Sequence, residues 1–432
     1  MQRTTIHIKL ENPSSFKKQL LTWAQQFKVA LWMDSNEYPH NYTSYDAILA
    51  VDCLTKIETT YKKAFQKLKT YKNQCNDYIF GYLGYDLKND VEELQSTNFD
   101  GLGFSDMFFF QPKKLFFIKN NEVQICYINS LKHEVQQDFN IITSLNIHPK
   151  KITHKIKIKS RISKSDYLNK IYKILNHIKR GDIYEANFCQ EFFDDTAIIN
   201  PIRTYFNLNS ISTPPFASFL KLRDTYLISA SPERFLRKEG TSVISQPIKG
   251  TAKRSKNNIE DHFLKEQLKN NPKEQSENIM IVDLVRNDLS RIAVKGSVTV
   301  DELCKIYSFK QVHQLISTVS CKVQNNTDVV DILKETFPMG SMTGAPKIAA
   351  MKIIEDLEIT KRGLYSGAVG YITPQNNFDF NVVIRSILYN KAKKYVSFSV
   401  GSAITTQSNP ETEYDECLLK AQAMKTVLLN GN

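Results

Sequence analysis

Pro410 to Ala423 reads PETEYDECLLKAQA, and its spacing decides how this end of the chain folds. Tyr414, Cys417, Leu418, Ala421, Met424 and Leu428 recur at intervals of one to four residues, which predicts a helix from Glu411 to Leu429 with one apolar stripe facing a core. Glu413, Glu416 and Lys420 follow at i, i+3 and i+7, so two carboxylates and an ammonium line a neighbouring edge. Alone, such an edge reads most simply as a surface ion-pair ladder.

A second pair changes the balance. Glu274 and Glu277 are again three apart, just ahead of the apolar run Ile279 to Leu284, within a stretch expected to be helical from Ile259 to Leu289. Four glutamates on two helices, with no Cys or His beside them, suit a hard cation such as Mg²⁺ that keeps several waters. Between the helices, Met339 to Lys347 (MGSMTGAPK) is a small-residue turn around Gly344. It is expected to open a helix at Ala345-Pro346 and to turn backbone N–H groups toward an anion. The spacing does not match a nucleotide P-loop, and a small carboxylate fits better.

Gln246 to Thr251 (QPIKGT) sets Lys249 between a strand end and a glycine. A lysine buried there gives up its proton more readily, and the free amine is a nucleophile; the plainer reading is a surface lysine. Glu233, in Ser231-Pro232-Glu233-Arg234, is a candidate general acid or base, with a salt bridge to Arg234 as the alternative.

Around these segments, 432 residues at 41% hydrophobic content can bury a sizeable core. Strand-like alternations at residues 5–10, 78–85, 114–118 and 122–128 are interleaved with helical stretches at 15–27 and 56–71, without the strand, Gly-rich turn and helix rhythm of a dinucleotide fold. A helix is expected over 163–180, strands at 216–220, 225–229 and 242–247, a helix at 328–337, and strands at 367–373, 381–389 and 395–400. The fold class is α+β with large, mostly antiparallel β-sheets, organised as an N-terminal subdomain (1–150) and a second domain (155–430). Seven scattered cysteines without a C-x-x-C pair indicate neither disulfides nor zinc. No apolar run reaches the roughly 18 residues of a membrane span, so a cytoplasmic protein is expected. The formal charge of +12 is carried largely by dispersed lysines, as in 150–164, expected to be a strand with a solvated basic face; a nucleic-acid-binding protein is the distant alternative.

Taken together, Gly181-Asp182-Ile183-Tyr184, SPERF at 231–235, QPIKGT, ENIMIVDLVRNDL at 277–289, GSMTGAPK, RGLYSGAVGY at 362–371, Ile384-Arg385-Ser386 and the 410–423 string resemble the chorismate-utilising enzymes, from about residue 160 to the end. The resemblance implies a sandwich-like sheet core flanked by helices. It also implies a magnesium ion bound directly by Glu277 and Glu416, with Glu274 and Glu413 acting through waters. Arg385 and the backbone at Gly401, Ser402 and Ala403 would hold the enolpyruvyl carboxylate of chorismate, with Tyr365 bordering that pocket. Lys420 and Thr251 would lie on the ring-carboxylate side. Within the family, Lys249 resembles the aminodeoxychorismate synthases, where anthranilate synthases carry Ala. Glu185 stands where the isochorismate and salicylate synthases have a water-activating Lys and where Gln is usual. The implied chemistry is amination at C4 by ammonia, with Lys249 as covalent nucleophile and Glu233 as acid, and with ammonia from a separate glutaminase subunit. Anthranilate synthase component I is the nearest alternative. Gln314 replaces a family His, with His313 one step earlier.

Overall fold

Strand Met107–Lys119 is the pivot of the computed structural model, which describes residues 2–38, 42–147, 152, 154–309 and 312–430. Its first half pairs with Ile79–Leu83 and its second half with Glu122–Ile128, while Ala47–Thr59 runs beside both. One arm of sheet then continues through Val29–Asp34, Phe216–Leu222, Thr225–Ser231, Ser386–Asn390 and Tyr395–Ile404 to Glu185–Asp194. The other runs from Ile79–Leu83 through Ala368–Ile372, Phe378–Val382, Arg234–Glu239 and Ser242–Gln246 to Val312–Lys322, which also carries Thr299–Ser308 and Ile248–Lys253. All of these pairings are antiparallel, and strands from before and after residue 150 are hydrogen-bonded to one another.

Period-two alternation divides the apolar side chains between two cores. Along one strand Val29, Leu31 and Met33 join the cluster that holds Phe80, Phe108, Phe109 and Phe380, whereas Ala30 and Trp32 face the opposite side. On that side the helices Lys164–Lys179, Pro201–Ser212 and Pro410–Asn430 bury Tyr167, Tyr205, Cys417 and Met424 against Phe188, Phe398 and Val400. The α+β class and the sheet core flanked by helices are therefore as expected. No helix among the described residues is long and apolar enough to cross a membrane.

Several boundaries differ for physical reasons. The stretch expected as one helix over 259–289 is two, Asn258–Lys269 and Pro272–Ser290, because Pro272 has no N–H to continue the first and the Asn271 side chain accepts from the N–H groups of Lys273 and Glu274. Residues 56–59 complete the strand Ala47–Thr59, and the helix expected from 56 starts at Ala64. The strand expected over 381–389 is two, interrupted at Arg385, whose φ of +52° leaves the extended region. Of the basic 150–164 segment only Lys159–Ser160 is strand, and residues 150, 151 and 153 lie outside the described residues. The terminal helix runs over Pro410–Asn430, but Leu418 is 38% exposed, because the buried face centres on Cys417, Ala421, Met424 and Leu428, about 100° round from it.

Candidate active site

The strand Ile248–Lys253 loses register with Val312–Lys322 between Ile248 and Thr251. Lys249 and Gly250 sit in that irregularity, with Gly250 at φ +92°, a conformation that costs glycine nothing. The displaced backbone is held by Asn278, whose side-chain amide donates to the Lys249 carbonyl at 3.3 Å. It aims Lys249 inward: the side chain is 13% exposed, and Nζ donates to Glu185 Oε1 at 3.3 Å. This answers the choice left open by the sequence, since Lys249 is not a surface lysine. Its protonation runs against expectation. Burial favours the amine, but the charges of Glu185, Glu277 and Glu416 outweigh it and hold the ammonium pKa above its ordinary value.

Glu233 is also buried and makes no salt bridge with its neighbour, Arg234 pairing instead with Asp379 at 2.9 Å. Ser341, from the Gly-rich turn, donates to Glu233 Oε1 at 2.5 Å. Burial lifts the Glu233 carboxyl to about 7, with the Ser341 hydrogen bond and the Lys249 charge holding it from going higher. A group poised near neutrality can give a proton in one step and take one in the next.

The turn itself differs from expectation. Gly344–Ala345 pairs with the strand Glu185–Asp194, and the helix begins at Lys347 with Pro346 as its cap. Backbone expected to face an anion is thus partly committed to the sheet. Gly344 is obligatory there, because a Cβ would lie 2.1 Å from the Glu185 carbonyl oxygen. Arg362 ties the turn down by donating to the carbonyls of Met342 and Asn187 and to the Glu358 carboxylate.

Beyond it, Gly401, Ser402 and Ala403 pair with Cys189, Phe188 and Asn187, and Lys420 donates to the Gly401 carbonyl at 3.1 Å. Tyr365 is buried beside Cys189, its hydroxyl 3.5 Å from Sγ. Arg385 is half-buried, and its guanidinium has no ion-pair or hydrogen-bond partner among the described residues. Burial pulls its pKa down, against the charges of Tyr365 and Glu416. A desolvated cation without a counter-ion is a slot for an anion. Thr251 is exposed at the mouth of the site, with the Gln314 amide 3.5 Å from its Oγ1. His313 points the other way, to Ser308 and Asp261, as strand alternation requires.

The four glutamates come from two helices, as expected, Glu413 buried and the others half-buried. Lys273 Nζ stands 3.8 Å from both Glu277 and Glu413. Lys420 pairs with Glu416 at 2.5 Å. Burial raises the Glu277 carboxyl to about 7 despite Lys249 and Lys273, and burial with the Glu416 charge raises Glu274. Burial also acts on Glu416, but Lys420 outweighs it and keeps that carboxyl below the ordinary range. Among the described residues no three Asp, Glu, His or Cys side chains form a finished metal cage. A cation already bridges carboxylates of the two helices, in the form of Lys273. An all-oxygen donor set fits a hard divalent ion that retains waters. Sequence reasoning did not single out Lys273, Asn278 or Ser341; their signal was adjacency to the Glu274/Glu277 pair and membership of the Gly-rich turn.

A model of the chorismate binding enzyme family matches residues 27–426. An anthranilate synthase component I-like protein of Synechocystis sp. is 34% identical over 357 residues, 81% of this chain and 72% of that protein. A probable chloroplastic aminodeoxychorismate synthase of Oryza sativa is 39% identical over 269 residues, 62% of this chain and 30% of that protein, so the match spans less than a third of that relative. The crystal structure of anthranilate synthase component I from Streptococcus pneumoniae shares the fold, with a TM-score of 0.79 at 24% identity over 90% of this chain and 93% of that one.

Proposed function

The chain belongs to the chorismate-binding enzymes, and within that family we propose that it aminates chorismate at C4, giving 4-amino-4-deoxychorismate. The observation that carries this reading is Lys249, an inward-facing amine on a strand irregularity among the site's carboxylates. Chorismate is a dianion, and the unpaired Arg385 offers one carboxylate a charge-assisted partner. Glu274, Glu277, Glu413 and Glu416 would hold a magnesium ion, which supplies Lewis-acid charge for the ring carboxylate.

Lys249, as the free amine, forms a bond from Nζ to C2 while the ring double bonds shift and the C4–O bond breaks. Glu233 gives its proton to the departing hydroxyl, which leaves as water. Ammonia then attacks C4, the shift reverses, and the C2–N bond breaks to release Lys249 as an amine. The surplus proton on the new C4 nitrogen returns to Glu233. Two easier displacements replace one difficult one. The enolpyruvyl group is retained, so p-aminobenzoate, the folate precursor, requires a separate lyase. The ammonia source in this reading is a separate glutaminase subunit.

Amination at C2, the reading carried by the name of the Synechocystis relative, yields anthranilate without a lyase. The test is to incubate the protein with chorismate, Mg²⁺ and ammonium at alkaline pH and identify the product by mass, with and without the lyase. A 4-amino product from the wild type, with Lys249→Ala at least a hundredfold slower, is expected. Anthranilate as the product, or unchanged turnover by Lys249→Ala with ammonia, refutes the reading.

A further inference from the structure

Glu233 and Ser341 line a cavity of about 20 Å³, room for one molecule the size of water, and Val285 and Asp288 of the helix Pro272–Ser290 line it too. Every residue on its wall is buried. Asp288 is 4% exposed; its Oδ2 accepts from Lys347 at 2.6 Å, while its Oδ1 is buried and has no hydrogen-bond partner among the described residues. A buried oxygen left so is costly unless a guest donates to it. The wall has little to give. The hydroxyls of Ser245, Thr336 and Ser341 donate to the Phe235 carbonyl, the Ile332 carbonyl and Glu233 Oε1. The Arg234 guanidinium is spent on Asp379, Gln246 and the Tyr42 carbonyl. Apart from the acid proton of Glu233, which goes to the departing hydroxyl, the side chains of this wall therefore offer a guest acceptors only. From this wall we propose that the cavity is the binding site of the ammonia that attacks C4, with Asp288 Oδ1 as its principal acceptor.

This inference rests on the function proposed above and gives its second substrate a place. Water in the same space would donate two hydrogens and leave two lone pairs unanswered by the side chains around it. Ammonia donates three and carries one lone pair, the pair that has to stay free for carbon. No covalent bond changes in the cavity, where ammonia is held by hydrogen bonds alone. Its lone pair makes the N–C4 bond after it passes Glu233. By then Glu233 has given its proton to the departing hydroxyl, and as the carboxylate it takes the surplus proton from the new nitrogen. The acid that protonates a leaving hydroxyl lies on the side from which that hydroxyl departs. Ammonia arriving past Glu233 therefore meets the position that the water has vacated.

The lysine–substrate adduct is first formed with chorismate and Mg²⁺ but no ammonia, its rate read by rapid quench and intact mass. Ammonium chloride is then added in increasing amounts at alkaline pH, and decay of the adduct to 4-amino product is followed. Asp288→Asn and Val285→Ile are each expected to need at least roughly tenfold more ammonium chloride for half-maximal decay, the worth of a hydrogen bond to a charged acceptor, while adduct formation stays within about twofold of wild type. Adduct formation uses Lys249 and Glu233 without ammonia, so it reports damage to those two groups. Asp288→Asn leaves the Lys347 ammonium without its counter-charge. If that variant does not fold, Val285→Ile decides alone, since it changes no charge and puts an added methyl into the space. An unchanged ammonium dependence in the folded variants overturns the proposal and leaves the cavity to an ordinary buried water. Adduct formation slowed as much as decay also overturns it, marking Asp288 and Val285 as supports of Glu233. A wild type that forms neither adduct nor 4-amino product sinks the function proposed above, and this inference with it.

Discussion

Replacing Glu233 by Gln makes a test whose size follows from the structure. The carboxyl is buried, and its pKa is lifted from 4.5 to about 7. Below pH 4.5 it is neutral in both folded and unfolded chains and contributes nothing. As pH rises from 4.5 toward 7, the unfolded chain ionises and the folded chain resists, so folding is progressively penalised; above 7 the penalty is constant. Each tenfold change in proton affinity is worth about 1.4 kcal/mol, which sets that plateau at about 3 kcal/mol. Gln keeps an oxygen to accept from Ser341 and cannot ionise, so the variant escapes the penalty while losing the acid. For 432 residues the unfolding entropy is on the order of 0.9 kcal/mol/K, and 3 kcal/mol corresponds to a Tm difference of about 3 °C. The assay is the Tm of both proteins, free of metal and substrate, from pH 4.5 to 8.5. The variant should match the wild type at the acid end, exceed it by about 3 °C above pH 7, and lose 4-amino product formation throughout. A Tm difference that stays constant across this range refutes the assignment of Glu233 as a buried acid with an elevated pKa.

Ser341→Ala removes the hydrogen bond that restrains the Glu233 pKa, so the alkaline limb of the kcat profile should move to higher pH; a shift to lower pH would contradict the contact. Arg385→Leu should raise the chorismate KM roughly 10- to 100-fold, the worth of a charge-assisted hydrogen bond, with little change in Tm. In Gly401→Ala the new methyl would lie 2.5 Å from both the Phe188 carbonyl oxygen and Cys189 Sγ, and a loss of about 1–3 kcal/mol should lower Tm by roughly 1–3 °C.

What the sequence made legible was whatever depends on period. The stripe around Cys417, Ala421 and Met424 located the terminal helix, and the i, i+3 glutamates turned out to lie on two helices facing one site. Breaks in period were harder. Asn270-Asn271-Pro272 divides a stretch whose apolar pattern reads as one helix, and the signal was the proline preceded by a capping side chain. Arg385 interrupts two strands because its backbone turns left-handed, which no side-chain pattern announces. The charge state of Lys249 was invisible for another reason: it depends on Glu185, 64 positions away, and on carboxylates from two separate helices. Local sequence shows that a lysine is there, while folding decides what it faces.

The ammonium of Lys273 also acts as a clasp. By standing between Glu277 and Glu413 it ties the helix 272–290 to the helix 410–430, so part of the like-charge repulsion between the two, still felt by Glu274 from Glu416, is offset by the polypeptide itself. The two helices are therefore joined across this seam in the metal-free protein, and an ion held by the same glutamates would only add to the joint. A chelator should thus lower the melting temperature of magnesium-supplemented protein to that of the metal-free protein and no further.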